Sequence, residues 1–129
     1  SRINVAEPMN IQDQLKKEFP GVKLWVSTPY KGTATISQIV VPEPLREQGI
    51  GTKIMSRLLA WADQEGISLT LTPEASFGGS VPRLKKFYES FGFVLNKGSN
   101  KDYEIRDLMY RRPKNASEEI KKKDYENSI

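Results

Sequence analysis

Neither cysteine nor histidine occurs anywhere in the 129 residues. Without thiols the chain has no disulfide framework, no thiolate metal site and no cysteine nucleophile. Without imidazole it has no Ser-His-Asp arrangement, no histidine-held zinc and no side chain whose ordinary titration lies near neutrality. Long hydrophobic runs are missing too. The apolar stretches are a handful of residues each, too short to span a bilayer, and the first residues show no signal-peptide pattern. The expectation is a soluble cytoplasmic protein with no membrane partner and no metal. Chemistry in such a chain falls to carboxylates, tyrosine, Ser/Thr, lysine, backbone amides or water.

Excess charge of one sign is also modest, 20 Lys and Arg against 16 Asp and Glu, a net of +4. That balance suits an anionic ligand such as a nucleotide. It does not by itself indicate nucleic acid, and with no recognised nucleic-acid motif that class ranks last. The length is that of one domain able to bury its own core.

Residues 9–19 read as a first helix after Pro8, with Met9, Leu15 and Phe19 on an apolar stripe and Pro20-Gly21 as the stop. Residues 22–28 alternate as a strand, Pro29-Tyr30-Lys31-Gly32 is turn chemistry, and residues 33–41 form a β-branched second strand, together a hairpin. The strongest helix is 49–65, in which Ile50, Ile54, Met55, Leu58, Trp61 and Ala62 share a face and Gly66 is the cap. A short apolar strand at 67–72 completes a right-handed strand–helix–strand unit. A second amphipathic helix spans 81–91, followed by strands at 92–95 and 103–111. From Pro113 the composition turns to Lys, Glu, Asp and Asn, so the expected division is a compact domain at 1–112 and a charged tail or solvated helix at 113–129. The pattern is α/β with a mixed sheet.

The stretch from Ile39 to Lys53 carries the most chemical information. A β-branched strand ends in prolines, and a Gly-x-Gly turn opens the long helix. The first amides of a helix have no internal partners and sit at the positive end of its dipole, so glycines there let an anion reach the backbone. The P-loop pattern fails for want of a glycine at Arg46, and the dinucleotide fingerprint fails at Ile54. The spacing Arg46-x-x-Gly49-x-Gly51 fits a third pattern. About forty residues on, Arg83 to Phe93 carries Tyr88 on an apolar helix that runs through Gly92-Phe93 into the next strand.

In that order and spacing the two segments resemble motifs A and B of the GNAT superfamily of acyl-CoA-dependent N-acetyltransferases, over residues 22 to 112. The resemblance implies a mixed, mostly antiparallel sheet flanked by helices, with two splayed parallel strands between which acetyl-CoA wedges. It implies that backbone groups of Ile39, Val40 and Val41 pair with the pantetheine arm. Arg46 and the amides of Glu47, Gln48, Gly49, Ile50, Gly51 and Thr52 would receive the pyrophosphate. Tyr88 would stand beside the thioester sulfur, where a phenol can protonate a departing thiolate. Glu74, just past the strand at 67–72, is the candidate general base, with Glu43 and Glu104 as poorer alternatives.

The chain departs from the family pattern at Val81, where many members carry an Asn that contacts the cofactor; Ser80 is the neighbour that would take over. Residues 73–80 look like a lengthened loop, and only about 20 residues precede the hairpin, which leaves the acceptor side open or covered by a homodimer partner. Lys97 and Lys101 in the polar turn after motif B read as exposed loop residues ahead of contacts to the 3′-phosphate. The reading is an acetyl-CoA-dependent N-acetyltransferase acting on a primary amine of a small molecule or protein by direct attack. The alternative is an inactive GNAT-fold module that binds acyl-CoA or a protein.

Overall fold

Asn10 opens the first element: its side-chain oxygen accepts the Asp13 amide at 2.8 Å and so satisfies one of the free donors at the start of helix α1 (Ile11–Glu18). The structure is a computed structural model that describes residues 10–46, 48–74 and 80–114. The helix start expected at Pro8 therefore lies outside the described residues, as do Glu47, most of the 73–80 loop and the tail from 115 on.

Strand β1 (Lys23–Val26) and strand β2 (Thr33–Val40) pair antiparallel, as the alternation of Leu24 and Val26 with Lys23 and Trp25 requires. Val26 faces Ile36 while Trp25 faces Gln38, so Ser37 is an extra residue in β2. This bulge explains why the buried positions of β2 run Ala34, Ile36, then Ile39: the inward side shifts by one residue at Ser37. A short helix α2 (Glu43–Arg46) follows, which the sequence pattern did not announce, and then α3 (Ile50–Glu65). Gly49 and Gly66 bracket α3 with φ of 71° and 69°, left-handed backbone that glycine adopts without strain.

Strand β3 (Ser68–Leu71) lies parallel to β2, and beyond it come α4 (Val81–Glu89), β4 (Val94–Leu95) and β5 (Met109–Arg111). The sheet order is β1-β2-β3-β5-β4, with β2–β3 the parallel pair and the other pairings antiparallel. Ile54, Met55, Leu58 and Ala62 of α3 are fully buried in one cluster with Ala34, Ile36, Leu69, Leu71 and Tyr88 of α4. The helices thus share one face of the sheet. Arg57 of α3 pairs with Glu18 of α1, and the buried Arg111 of β5 grips Asp63 near the end of α3 at 2.8 and 3.2 Å.

The last strand is shorter than the expected 103–111. Asn96, 7% exposed, donates its side-chain amide toward the carbonyls of Asp102, Ile105 and Asp107 and accepts the Asp102 amide at 2.7 Å. One side chain thereby takes up backbone groups that a strand ladder would need, and residues 101–108 form a compact loop over the sheet. No helix among the described residues is long and apolar enough to cross a membrane.

Candidate active site

The parallel strands part company early. Pairing between β2 and β3 runs from Thr33 with Ser68 to Ile36 with Leu71, and β2 then continues to Val40 with no partner on that side among the described residues. The bulge at Ser37 sits at the parting point and strengthens the local twist. Beyond it, β2 presents an unpaired edge into a wedge, the kind of edge to which an extended chain adds as a further strand. Successive backbone groups point to opposite edges, so alternate residues among Ile39, Val40 and Val41 face the wedge while the others bond toward β1.

Where β2 ends, the chain turns into an anion-receptive helix start. Leu45 N–H donates to Pro42 O at 2.8 Å, and Gln48 N–H to Leu45 O at 3.2 Å, which shapes the turn. Arg46 Nε donates to Val41 O at 2.8 Å, so this side chain ties α2 back to the strand end. The first helical bond of α3 runs from Lys53 N–H to Gly49 O, and no side chain caps the helix at Gly49. The amides of Ile50, Gly51 and Thr52 consequently have no acceptor within the helix. A Cβ built at Gly49 meets nothing within 4 Å, so glycine there answers to its φ and leaves open space at the helix mouth. A Cβ at Gly51 would lie 3.6 Å from Phe87 and 3.9 Å from Val41, ordinary contact that joins the first turn of α3 to α4.

Tyr88 lies on the same side. It is 1% exposed, with Phe87 and Phe93 edge-on at 5.3 and 5.8 Å. Burial pushes its phenol well above the ordinary value, so the hydroxyl stays protonated through neutral pH. A group so placed donates a hydrogen bond well, and gives up its proton outright with more difficulty than a solvated phenol. Ser80 is the N-cap of α4, its oxygen accepting the Arg83 amide at 3.3 Å. Glu74 is exposed three residues past β3, Glu43 is exposed in the first turn of α2, and Glu104 is exposed in the loop before β5. The structure thus gathers Ile39 to Val41, Arg46 and Gln48 to Thr52 at one end of the sheet, while Glu104 belongs to a different cleft.

On the sheet face away from the helices lies a polar network that sequence reasoning missed. Thr35 and Thr70 oxygens are 2.8 Å apart across β2 and β3. Thr70 donates to Asp107 Oδ2 at 2.8 Å, and Thr72 donates to Oδ1 at 3.0 Å while accepting the Leu108 amide. The network walls a cleft of about 600 Å³ between the β1–β2 turn and the loop before β5. Its one sequence signal was the spacing of Thr70 and Thr72 two apart on a strand. Lys101 stacks over the exposed Tyr103 ring, in keeping with a loop residue.

Comparison with known proteins finds a family match and a likeness of fold. Residues 16–95 match the family described as the acetyltransferase (GNAT) domain. That span runs from the last turn of α1 through β4 and contains Arg46, Gly49, Gly51 and Tyr88. The crystal structure of Ard1 from Thermoplasma volcanium superimposes with a TM-score of 0.54 at 20% identity, covering 78% of this chain and 76% of that one, a likeness of fold. No curated protein matches the chain.

Proposed function

The chain belongs to the GNAT acetyltransferase family, and from that premise we propose that it moves an acetyl group from acetyl-CoA to a primary amine by direct attack. The observation that carries this is the parting of β2 and β3 after Ile36 and Leu71, immediately before an uncapped helix start. An extended arm ending in a pyrophosphate needs that pair of features, a free strand edge and a cluster of free amides at a positive helix end. Ile39 to Val41 then hold the arm. Gln48, Gly49, Ile50, Gly51 and Thr52 receive the pyrophosphate, with Glu47 assigned there by its position in the motif. Arg46, its Nε already on Val41 O, sets the turn and lends positive charge, and Ser80 lies at the neighbouring helix mouth.

In the reaction the amine nitrogen forms a bond to the thioester carbon, the carbon–sulfur bond breaks, and the thiolate leaves. Tyr88 supplies a phenolic O–H to the sulfur as charge builds on it. The thiol, at about 8.5, is a much stronger acid than this buried phenol. Hydrogen-bond donation is therefore the larger part of the Tyr88 contribution, and the thiolate takes its proton from solvent. Glu74 is assigned to accept the amine's proton directly or through water. A calorimetric titration of acetyl-CoA into the wild type and a Tyr88→Phe variant, followed by turnover with an amine panel, tests the assignment. Equal binding with slowed turnover is expected, and equal turnover removes Tyr88 from the chemistry.

A further inference from the structure

The cleft on the far face of the sheet is lined by threonine hydroxyls and by charged side chains of both signs. Resting on the acetyl-transfer reading above, we propose that Asp107 docks the ammonium group of the acceptor, and that the acceptor carries one ammonium and is not a polycation. Thr72 is the first residue past the last β2–β3 pair, and its hydroxyl holds one Asp107 oxygen while Thr70, backed by Thr35, holds the other. The carboxylate is thus fixed by two hydroxyls, one from β3 and one from the residue just past it, at the point where the wedge opens.

Each Asp107 oxygen accepts one of these hydrogen bonds and keeps lone-pair capacity for another donor. The ion pairs among the described residues are Arg57–Glu18, Arg111–Asp63 and Arg112–Asp102. Asp107 is therefore a half-buried carboxylate with hydroxyl partners and, among the described residues, no cation partner, on the wall of an open cleft. Desolvating a carboxylate is costly, and an arriving ammonium offsets that cost with charge-assisted hydrogen bonds. Holding the acceptor nitrogen at the parting point supplies the orientation for direct attack. Attack follows once the ammonium has passed one proton to Glu74 directly or through water and the neutral amine has its lone pair free.

The charges around the cleft set the class. Lys31, Arg106 and Arg112 balance Asp102, Glu104 and Asp107, and Arg112 with Asp102 is already a pair. A diffuse acidic basin would gather polyamines; this charge-balanced cleft, with Lys31 and Arg106 offsetting Glu104 and Asp107, offers no such basin, and its one hydroxyl-held carboxylate accepts a monoammonium group such as the α-amine of a peptide. The Thr35–Thr70 face lies opposite the helix-covered face. Acceptor and acetyl donor therefore approach from the two sides of the sheet and meet at the wedge.

The test is a two-dimensional NMR titration of the full chain with L-alaninamide, with N-acetyl-alaninamide as the neutral control and spermidine as the polycation. Saturable millimolar shifts at the amides of Thr35, Thr70, Thr72 and Leu108 are expected with alaninamide. They should weaken about tenfold or more in Asp107→Asn, be absent with the neutral control, and disappear as pH passes the probe's own amine value of about 8. The spectrum reports whether the variant is folded, and Asp107→Glu, which keeps the charge, should bind more tightly than Asp107→Asn. Absence of shifts in wild type, equal affinity in Asp107→Asn, or tighter binding of spermidine at these amides overturns the proposal. Acetyl-CoA is titrated in parallel into wild type and Asp107→Asn and should bind both alike. If acetyl-CoA binds neither, the acetyl-transfer reading fails; if it binds both and alaninamide ignores Asp107, the docking proposal fails alone.

Discussion

Replacing Asp63 by asparagine probes the contact that closes the sheet against α3. The Arg111 side chain is 6% exposed, and both its terminal nitrogens bond Asp63, while its Nε donates to Phe91 O at 3.1 Å. Asp63 Oδ1 also accepts the Lys114 amide at 2.8 Å, which fastens the chain after β5. Breaking a buried pair by removing one partner costs about 3–5 kcal/mol because the other charge stays buried. Asp63 is 28% exposed and asparagine keeps one acceptor oxygen, so the loss should be about 2–3 kcal/mol. For a domain of this size that lowers Tm by about 8–10 °C.

The pair also has a pH signature. Burial works to raise the Asp63 carboxyl, but the Arg111 guanidinium and the Lys114 amide outweigh it and hold the group below its ordinary value. A carboxyl depressed in the folded state stabilises fully above its unfolded value, about 3.9, and loses that contribution as pH falls through the lower folded value. Thermal melts followed by circular dichroism should therefore show wild type and Asp63→Asn far apart at pH 7 and converging in acid below about pH 4. A difference under about 2 °C at pH 7, or parallel acid slopes for the two proteins, would refute the reasoning.

Other perturbations follow from the same geometry. Tyr88→Phe should lower kcat by about 10²-fold, the effect of losing one aimed donor, with acetyl-CoA affinity held within a few-fold. Since burial raises this phenol, wild-type activity should show no loss from Tyr88 ionisation up to about pH 10, its ordinary value. Gly51→Ala should melt at or slightly above the wild-type temperature, because the new methyl finds ordinary contact distances. Gly49→Ala, at φ +71°, should cost about 1 kcal/mol in urea unfolding. Asn96→Ala removes four hydrogen bonds from a buried site and should cost about 2–4 kcal/mol; if the docking proposal holds, acceptor KM rises more than kcat falls.

How much of this could be seen in the residues differs by element. Helix α3 was legible because a period-3.6 stripe coincides with glycines at both ends, each needed for a positive φ. The parallel pair was legible because the β-branched strand at 33–41 and the apolar strand at 67–72 flank that helix at crossover spacing. The bulge at Ser37 was not, since a break in alternation from Ile36 to Ile39 becomes a bulge only once β1 is paired alongside. The strand expected over 103–111 failed because Asn96 recruits the loop carbonyls, a contact that no local pattern encodes. Asp107 passed unnoticed for the same reason: it is one charge in a charged stretch, and its partners Thr70 and Thr72 are more than thirty residues away. Arg46 was expected to serve the pyrophosphate, and the structure adds a local duty on Val41 O.

The central claim is that the wedge and the α3 mouth hold acetyl-CoA. Calorimetric titration of acetyl-CoA into wild type, Gly49→Asn and Gly49→Glu tests it most directly. Asparagine tolerates the left-handed backbone and adds no charge, whereas glutamate places a negative charge where the pyrophosphate belongs. The account predicts micromolar binding to wild type, binding retained within a few-fold by Gly49→Asn, and binding abolished in Gly49→Glu. A folded wild type that takes up no acetyl-CoA at about 1 mM, or a Gly49→Glu protein that binds as tightly as wild type, would contradict it.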